Sequence, residues 1–95
     1  MSGVFNLPED HPLRVAHKKS SNHRADIEAS QRCGCFYCCK IFGPDQIVDW
    51  IDHRNPIPQQ TALCPHCGID SVIGDASGLK ITEQFLNEMR IAWFF

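Results

Sequence analysis

"CGCFYCC" at residues 33–39 places four of the chain's six cysteines in seven positions, and "CPHC" at residues 64–67 holds the other two. Within these stretches Cys35 and Cys38 have a two-residue gap, and so do Cys64 and Cys67. A two-residue gap lets both sulfurs of one tight turn reach a single metal ion, and two such turns supply the four ligands of a tetrahedral site. The spacer between Cys38 and Cys64 is 25 residues, a little longer than is common for double pairs. In the second pair Pro65 fixes φ, and Gly68 follows as a residue that tolerates positive φ. The first pair has Cys39 at the equivalent place, a weaker turn signal. Cys35, Cys38, Cys64 and Cys67 are therefore the expected ligands. Cys33 and Cys39 are expected to be bystander thiols beside the metal.

Zinc is the first expectation for that site, one ion per chain in a structural role. Iron in a rubredoxin-type site is the second, since thiolate preference alone does not separate the two metals. Four thiolates close the shell and leave no position for water or substrate. A thioredoxin-type redox motif fits poorly, because it uses one pair at a helix N-terminus after a strand. A zinc deaminase fits poorly too, because no His-x-Glu is present and the proline lies inside the pair.

The chain of 95 residues suggests an arm at 1–9 and one domain at 10–95. A core of that size is modest, and a bound metal would add stability. Net charge is −2, which implies no global attraction to nucleic acid or anionic membrane. No apolar run approaches the ~20 residues of a membrane helix. The opening "MSGVFNLPED" is too polar and acidic for a signal peptide, so a cytoplasmic setting with reduced thiols is expected. Charge is uneven: residues 1–40 sum to +2 and residues 41–95 to −4.

Outward from the cysteines, residues 10–31 read as one long helix, with Asp10 as N-cap and Pro12 in the first turn. Residues 41–52, "IFGPDQIVDWID", read as a short helix, with a strand as the rival because Ile, Val and Trp favour strands. "HRNPIPQQ" is a loop, "TALC" a short strand, "GIDSVIG" a strand or helical turn, and "DASG" a turn. Thr82 is a good N-cap for a final helix, with Ile81 and Leu86 as a hydrophobic staple. Phe85, Leu86, Met89, Ala92 and Trp93 form its apolar stripe. The fold class that follows is α-rich α+β. N- and C-terminal helices flank a zinc-centred set of knuckles of the zinc-ribbon or treble-clef kind.

Two surfaces are candidates for partner binding. One is the basic stretch 11–24, with Arg14, Lys18, Lys19 and Arg24. Its histidines His11, His17 and His23 are six residues apart, about 600° of helical rotation, so they do not share a face. The other is the aromatic end Trp93, Phe94 and Phe95. The favoured function is an interaction or adaptor module with a protein partner, and not an enzyme. A nucleic-acid-binding protein using residues 11–24 is the alternative, and a homodimer through the aromatic end is a further possibility.

The run "CGCFYC…ALCPHCGIDSVIG" with "ITEQFLNEMRIAWF" resembles a group of small uncharacterised bacterial cytoplasmic proteins with double CxxC motifs. That resemblance spans residues 11–94 and implies a compact zinc-binding domain without assigning an activity. A fainter similarity is to zinc-containing HNH nucleases, carried by Asp52, His53, Pro56 and "LCPHCG". It implies a treble clef with His53 as general base, a degenerate nuclease at most. Gly68 stands where that motif has a histidine, and the loop from His53 to Cys64 is short for it.

Overall fold

The strand that organises the molecule is Cys33–Cys35 (β1), the middle strand of a three-stranded antiparallel sheet. On one side it pairs with Ile41–Phe42 (β2), in the register Cys33 to Phe42 and Gly34 to Ile41. On the other it pairs with a later strand, with Cys33 opposite Gly74, Gly34 opposite Ile73 and Cys35 opposite Val72. This computed structural model describes residues 7–94. Most of the expected arm 1–9, and Phe95, lie outside the described residues.

Between these strands lie Trp50–Ile51 (β3) and Thr61–Ala62 (β4), which form a separate antiparallel pair. The later strand of the main sheet is Val72–Gly74 (β5). Among the described residues three α-helices complete the fold: Pro12–Lys18 (α1), Arg24–Ala29 (α2) and Glu83–Phe94 (α3). The architecture is thus mixed α+β with small antiparallel sheets, in line with the α+β expectation.

Side chains alternate across a strand, so the sheet separates two cores. Cys33, Cys35 and Val72 join Ile27, Phe42, Ile47, Ala62 and Cys64 on one face. Ile73 joins Ala16, Phe36, Ile81, Leu86 and Met89 on the other, with Ile41 packed against them. Gly34 points no side chain toward α3. A Cβ there would meet Leu86 Cδ1 at 2.7 Å and Ile81 Cγ2 at 3.0 Å. The absent methyl is what lets α3 lie directly on the sheet.

The C-terminal helix is as expected. Thr82 Oγ1 accepts a hydrogen bond from the Phe85 amide at 3.1 Å, and Ile81 and Leu86 are buried in the same core. Leu86 and Met89 are fully buried, worth about 1.5–3 kcal/mol each in apolar transfer.

The long N-terminal helix is corrected. The cap is His11, whose Nδ1 accepts from the Leu13 amide, and the segment divides into α1 and α2. Asn22 between them has φ of 52°. The reason is in the packing. Ala16 belongs to the α3 side of the sheet and Ile27 to the opposite side, so one straight rod could not bury both. α2 starts where Gln60 C=O accepts from the His23 and Arg24 amides.

The helix expected over 41–52 is also corrected, in favour of the strand rival. The chain forms β2, a 3₁₀ turn at Pro44–Gln46 and β3. Ile47 is buried while Val48 is 77 % exposed, so no helical face exists to bury. "TALC" and "GIDSVIG" do supply strands, β4 and β5. "DASG" is a 3₁₀ turn closed by Gly78 at φ 91°.

Candidate metal centre

The two cysteine pairs form turns of the same geometry, 29 residues apart in sequence. In the first, the Cys35 amide donates to Lys40 C=O at 3.0 Å and the Cys39 amide to Cys35 C=O at 2.8 Å. In the second, the Cys64 amide donates to Ile69 C=O at 2.9 Å and the Gly68 amide to Cys64 C=O at 3.0 Å. Inside each turn one more amide donates to the leading sulfur, Tyr37 N–H to Cys35 Sγ and His66 N–H to Cys64 Sγ, both at 3.3 Å. Such bonds stabilise negative charge on sulfur.

The turn closes through a left-handed residue in both halves. Gly68 has φ of 79°, and Cys39 has φ of 61° at the matching position. A β-carbon in that region is strained by about 1–2 kcal/mol. Cys39 therefore serves the first turn as a backbone element, although glycine would adopt that conformation more readily.

The turns face each other. The four sulfurs of Cys35, Cys38, Cys64 and Cys67 all lie within 4.8 Å of one another. Cys35 and Cys67 are 3.6 Å apart, and Cys38 and Cys64 are 3.7 Å apart. A tetrahedral thiolate site with metal–sulfur bonds of about 2.3 Å has sulfur–sulfur edges of about 3.8 Å. A disulfide would need about 2.05 Å. The donor set and its spacing fit a tetrahedral metal ion, and the pairing of ligands is the one expected from the two CxxC gaps.

Protonation of the free thiols follows their surroundings. Burial pushes the Cys35 thiol well up, against hydrogen bonds from the Cys38 and Tyr37 amides that pull it down. Burial also raises Cys67. At Cys64 burial acts upward as well, but bonds from the Cys67 and His66 amides and the neighbouring thiols outweigh it and lower the pKa. Cys64 thus ionises more readily than Cys35 or Cys67. A cation among the sulfurs would favour the thiolate at all of them.

Cys33 stays outside the cluster. It is fully buried in the core beside Ile27, and burial, aided by Asp75, pushes its thiol up to about 12. Cys39 is half-buried against the other core. The His66 ring packs near Phe42, with centroids 5.7 Å apart.

The expected partner surfaces are placed less simply. Lys18 and Lys19 are exposed, while Arg14 is half-buried and donates to Leu7 C=O at 3.1 Å. Arg24 sits on a different helix and is engaged three ways. It pairs with Glu28 at 3.3 Å, donates to Gln60 Oε1 at 2.8 Å and lies 4.4 Å over the Trp50 ring. Two of the four cations, Arg14 and Arg24, are thus engaged within the fold, and Lys18 and Lys19 are the exposed ones. Trp93 is half-buried; its indole N–H donates to Leu13 C=O at 3.1 Å, and its ring stacks on His17 at 3.8 Å. Phe94 is exposed, edge-on to Tyr37 of the first knuckle at 4.9 Å. His53 is exposed in a turn, and Asp52 beside it accepts from the Thr61 hydroxyl.

One residue with a large part in holding this site escaped the sequence reading. His23 is buried between α2 and β4. Its Nδ1–H donates to Lys19 C=O at 2.6 Å, and its Nε2 accepts from the Ala62 amide at 3.1 Å. Ala62 lies two residues before Cys64, so His23 ties the helical half to the strand that delivers the second knuckle. Its partner Ala62 lies 39 residues along the sequence, and no local spacing marks it.

Among the described residues no helix is long and apolar enough to cross a membrane. No family model matches the chain, and neither does any curated protein or solved structure, so the site is read from its own geometry.

Proposed function

We propose that the chain is a small zinc protein whose ion is structural and whose work is to present a surface to a protein partner. The observation that supports this most is the facing pair of matched turns, with four sulfurs within 4.8 Å. Zinc supplies a rigid tetrahedral junction there, and a short strand leads into each knuckle. Four thiolates fill the coordination sphere, which supports a structural ion over a catalytic one. A structural zinc contributes about 10–16 kcal/mol of apparent binding energy, enough to dominate the stability of a small domain.

A protein partner is favoured over nucleic acid because Arg14 and Arg24 are already committed within the fold. The surface offered instead is Phe94 with Tyr37, 42 % and 40 % exposed, set on the first knuckle and braced by the metal.

Elemental analysis of the purified protein tests the metal: one zinc per chain is expected. Cys35→Ser and Cys64→Ser should lose the ion, while Cys33→Ser and Cys39→Ser keep it. Retention of zinc by the first pair, or its loss from the second, would show that another ligand set operates. Binding to DNA or RNA that weakens steeply with salt, and is abolished by neutralising Lys18 and Lys19, would favour nucleic acid as the partner.

A further inference from the structure

A cleft of about 290 Å³ opens on the α3 side of the molecule, between α1, α3, Phe36 of the first knuckle and the residues that precede β5. Phe36, 2 % exposed, is among its lining residues, with Trp93 and Phe94 from α3 and His17 from α1. The rings are fixed by contact. His17 stacks on Trp93 at 3.8 Å with planes 27° apart, and Phe36 lies 5.9 Å from Phe94 at 43°. The Trp93 indole N–H is held by Leu13 C=O. The remaining lining is Asp70 and three serines.

The charge of this cleft has one sign. Among the described residues no lysine or arginine lines it, and Asp70 is the one carboxylate side chain that does. Desolvation lowers the His17 pKa from 6.5, with Asp70 acting in the opposite sense, which favours the neutral imidazole. An aromatic ring carries negative charge density on its face, and a single carboxylate adds a full negative charge. A primary ammonium is strongly hydrated and would lose more water than one carboxylate and a few hydroxyls replace. A methylated ammonium is apolar at its surface and keeps its charge, so it meets both requirements of the lining.

We propose that this cleft binds a methylated ammonium group, with Trp93, Phe94 and Phe36 as the aromatic lining and Asp70 as the counter-charge. The site rests in part on the metal reading, because Phe36 lies inside the Cys35–Cys38 turn, and it shares Phe94 with the surface offered to a partner, so metal content and amide dispersion are checked for every variant before titration. Its volume is at the low end for small-molecule pockets and suits one cationic head rather than an extended ligand. The same chemistry is carried by a free small cation or by a trimethylated lysine side chain.

The test uses the metal-loaded full chain labelled with ¹⁵N, reading the Trp93 indole N–H signal. The chain has two tryptophans, so Trp50→Phe assigns the signal by elimination. Choline chloride is titrated against its neutral isostere, 3,3-dimethylbutan-1-ol, with sodium chloride matched. Choline should shift the signal saturably in the millimolar range, as befits so few heavy atoms. The neutral alcohol should bind more weakly by about two- to fivefold, the difference a cation–π contact makes at an exposed site. Phe94→Leu should weaken choline by a similar factor and leave the alcohol unchanged. Asp70→Asn should also weaken choline alone, by up to about fivefold. A trimethyllysine peptide that binds more tightly than choline would assign the site to a protein tail, and equal binding would assign it to a free cation. The proposal is overturned if choline gives no shift, if choline and the alcohol shift the signal equally, or if both substitutions leave choline affinity intact.

Discussion

Replacing His23 by glutamine should remove a defined part of the protein's acid sensitivity. The imidazole is 3 % exposed and uses both nitrogens, donating from Nδ1 to Lys19 C=O and accepting at Nε2 from the Ala62 amide. Protonation would put a second N–H against the Ala62 amide and bury a charge. Burial accordingly depresses the pKa below 6.5, although the Lys19 bond and Asp26 act in the other direction. The unfolded chain then takes up a proton at a pH where the folded chain still refuses it. Stability is complete above about pH 6.5 and falls as pH drops below that value, by up to about 1.4 kcal/mol per unit until the folded pKa is reached. Urea unfolding of the zinc-loaded protein at about pH 7.5 and pH 5.5 measures it, with free zinc held constant. The His23→Gln variant should be about 1–3 kcal/mol less stable at the higher pH, since one buried backbone group loses its partner. It should also lose less than the wild type on going to the lower pH, by up to about 1.4 kcal/mol. Thiol protonation and His17 contribute equally to both proteins and cancel in that difference. Identical pH slopes for the two proteins would refute the assignment of His23 as a neutral buried bridge.

Three further outcomes follow from the geometry. Chelation of the metal should unfold the domain, seen as loss of amide dispersion in NMR; a folded, reduced, metal-free chain would contradict the structural role. Gly68→Ala should cost about 1 kcal/mol in chemical denaturation although nothing lies within 4 Å of the new methyl, because the cost is wholly in φ of 79°. Gly34→Ala should cost about 1–3 kcal/mol by overpacking against Leu86 and Ile81, and Leu86→Val in the same chain should recover part of it. Strict additivity of those two changes would show that α3 does not rest on Gly34.

The meeting of Cys35, Cys38, Cys64 and Cys67 was legible because a two-residue gap repeated twice is a local pattern with a direct geometric meaning. The C-terminal helix was legible for the same reason, since Thr82, Ile81 and Leu86 define its start within six residues. The N-terminal region was misread because helix rules see neighbours along the chain and not the sheet between them. Ala16 and Ile27 answer to opposite faces of β1, and only the sheet makes that a conflict. Strands of two or three residues carry too few alternations to show a period, which hid β2 and β3 behind a helical reading. The basic stretch looked uniform in sequence, yet Arg24 is drawn away by Trp50 and Gln60, each more than twenty residues distant.

The unequal anchoring of the two knuckles has a kinetic consequence. Cys35 ends a strand paired on both sides, whereas Cys64 follows a two-residue strand paired on one. Each knuckle is a local turn, but the two meet only when the 25 residues between Cys38 and Cys64 close into a loop. An ion held by the first pair would then see the second at an effective concentration set by that loop. Losing a single sulfur would leave it poised to rebind, so release requires an entire turn to swing aside. The turn at 64–67, held by the slighter strand, is the one that would move first. Exchange of the metal with a competing chelator should therefore run at the rate at which β3 and β4 part.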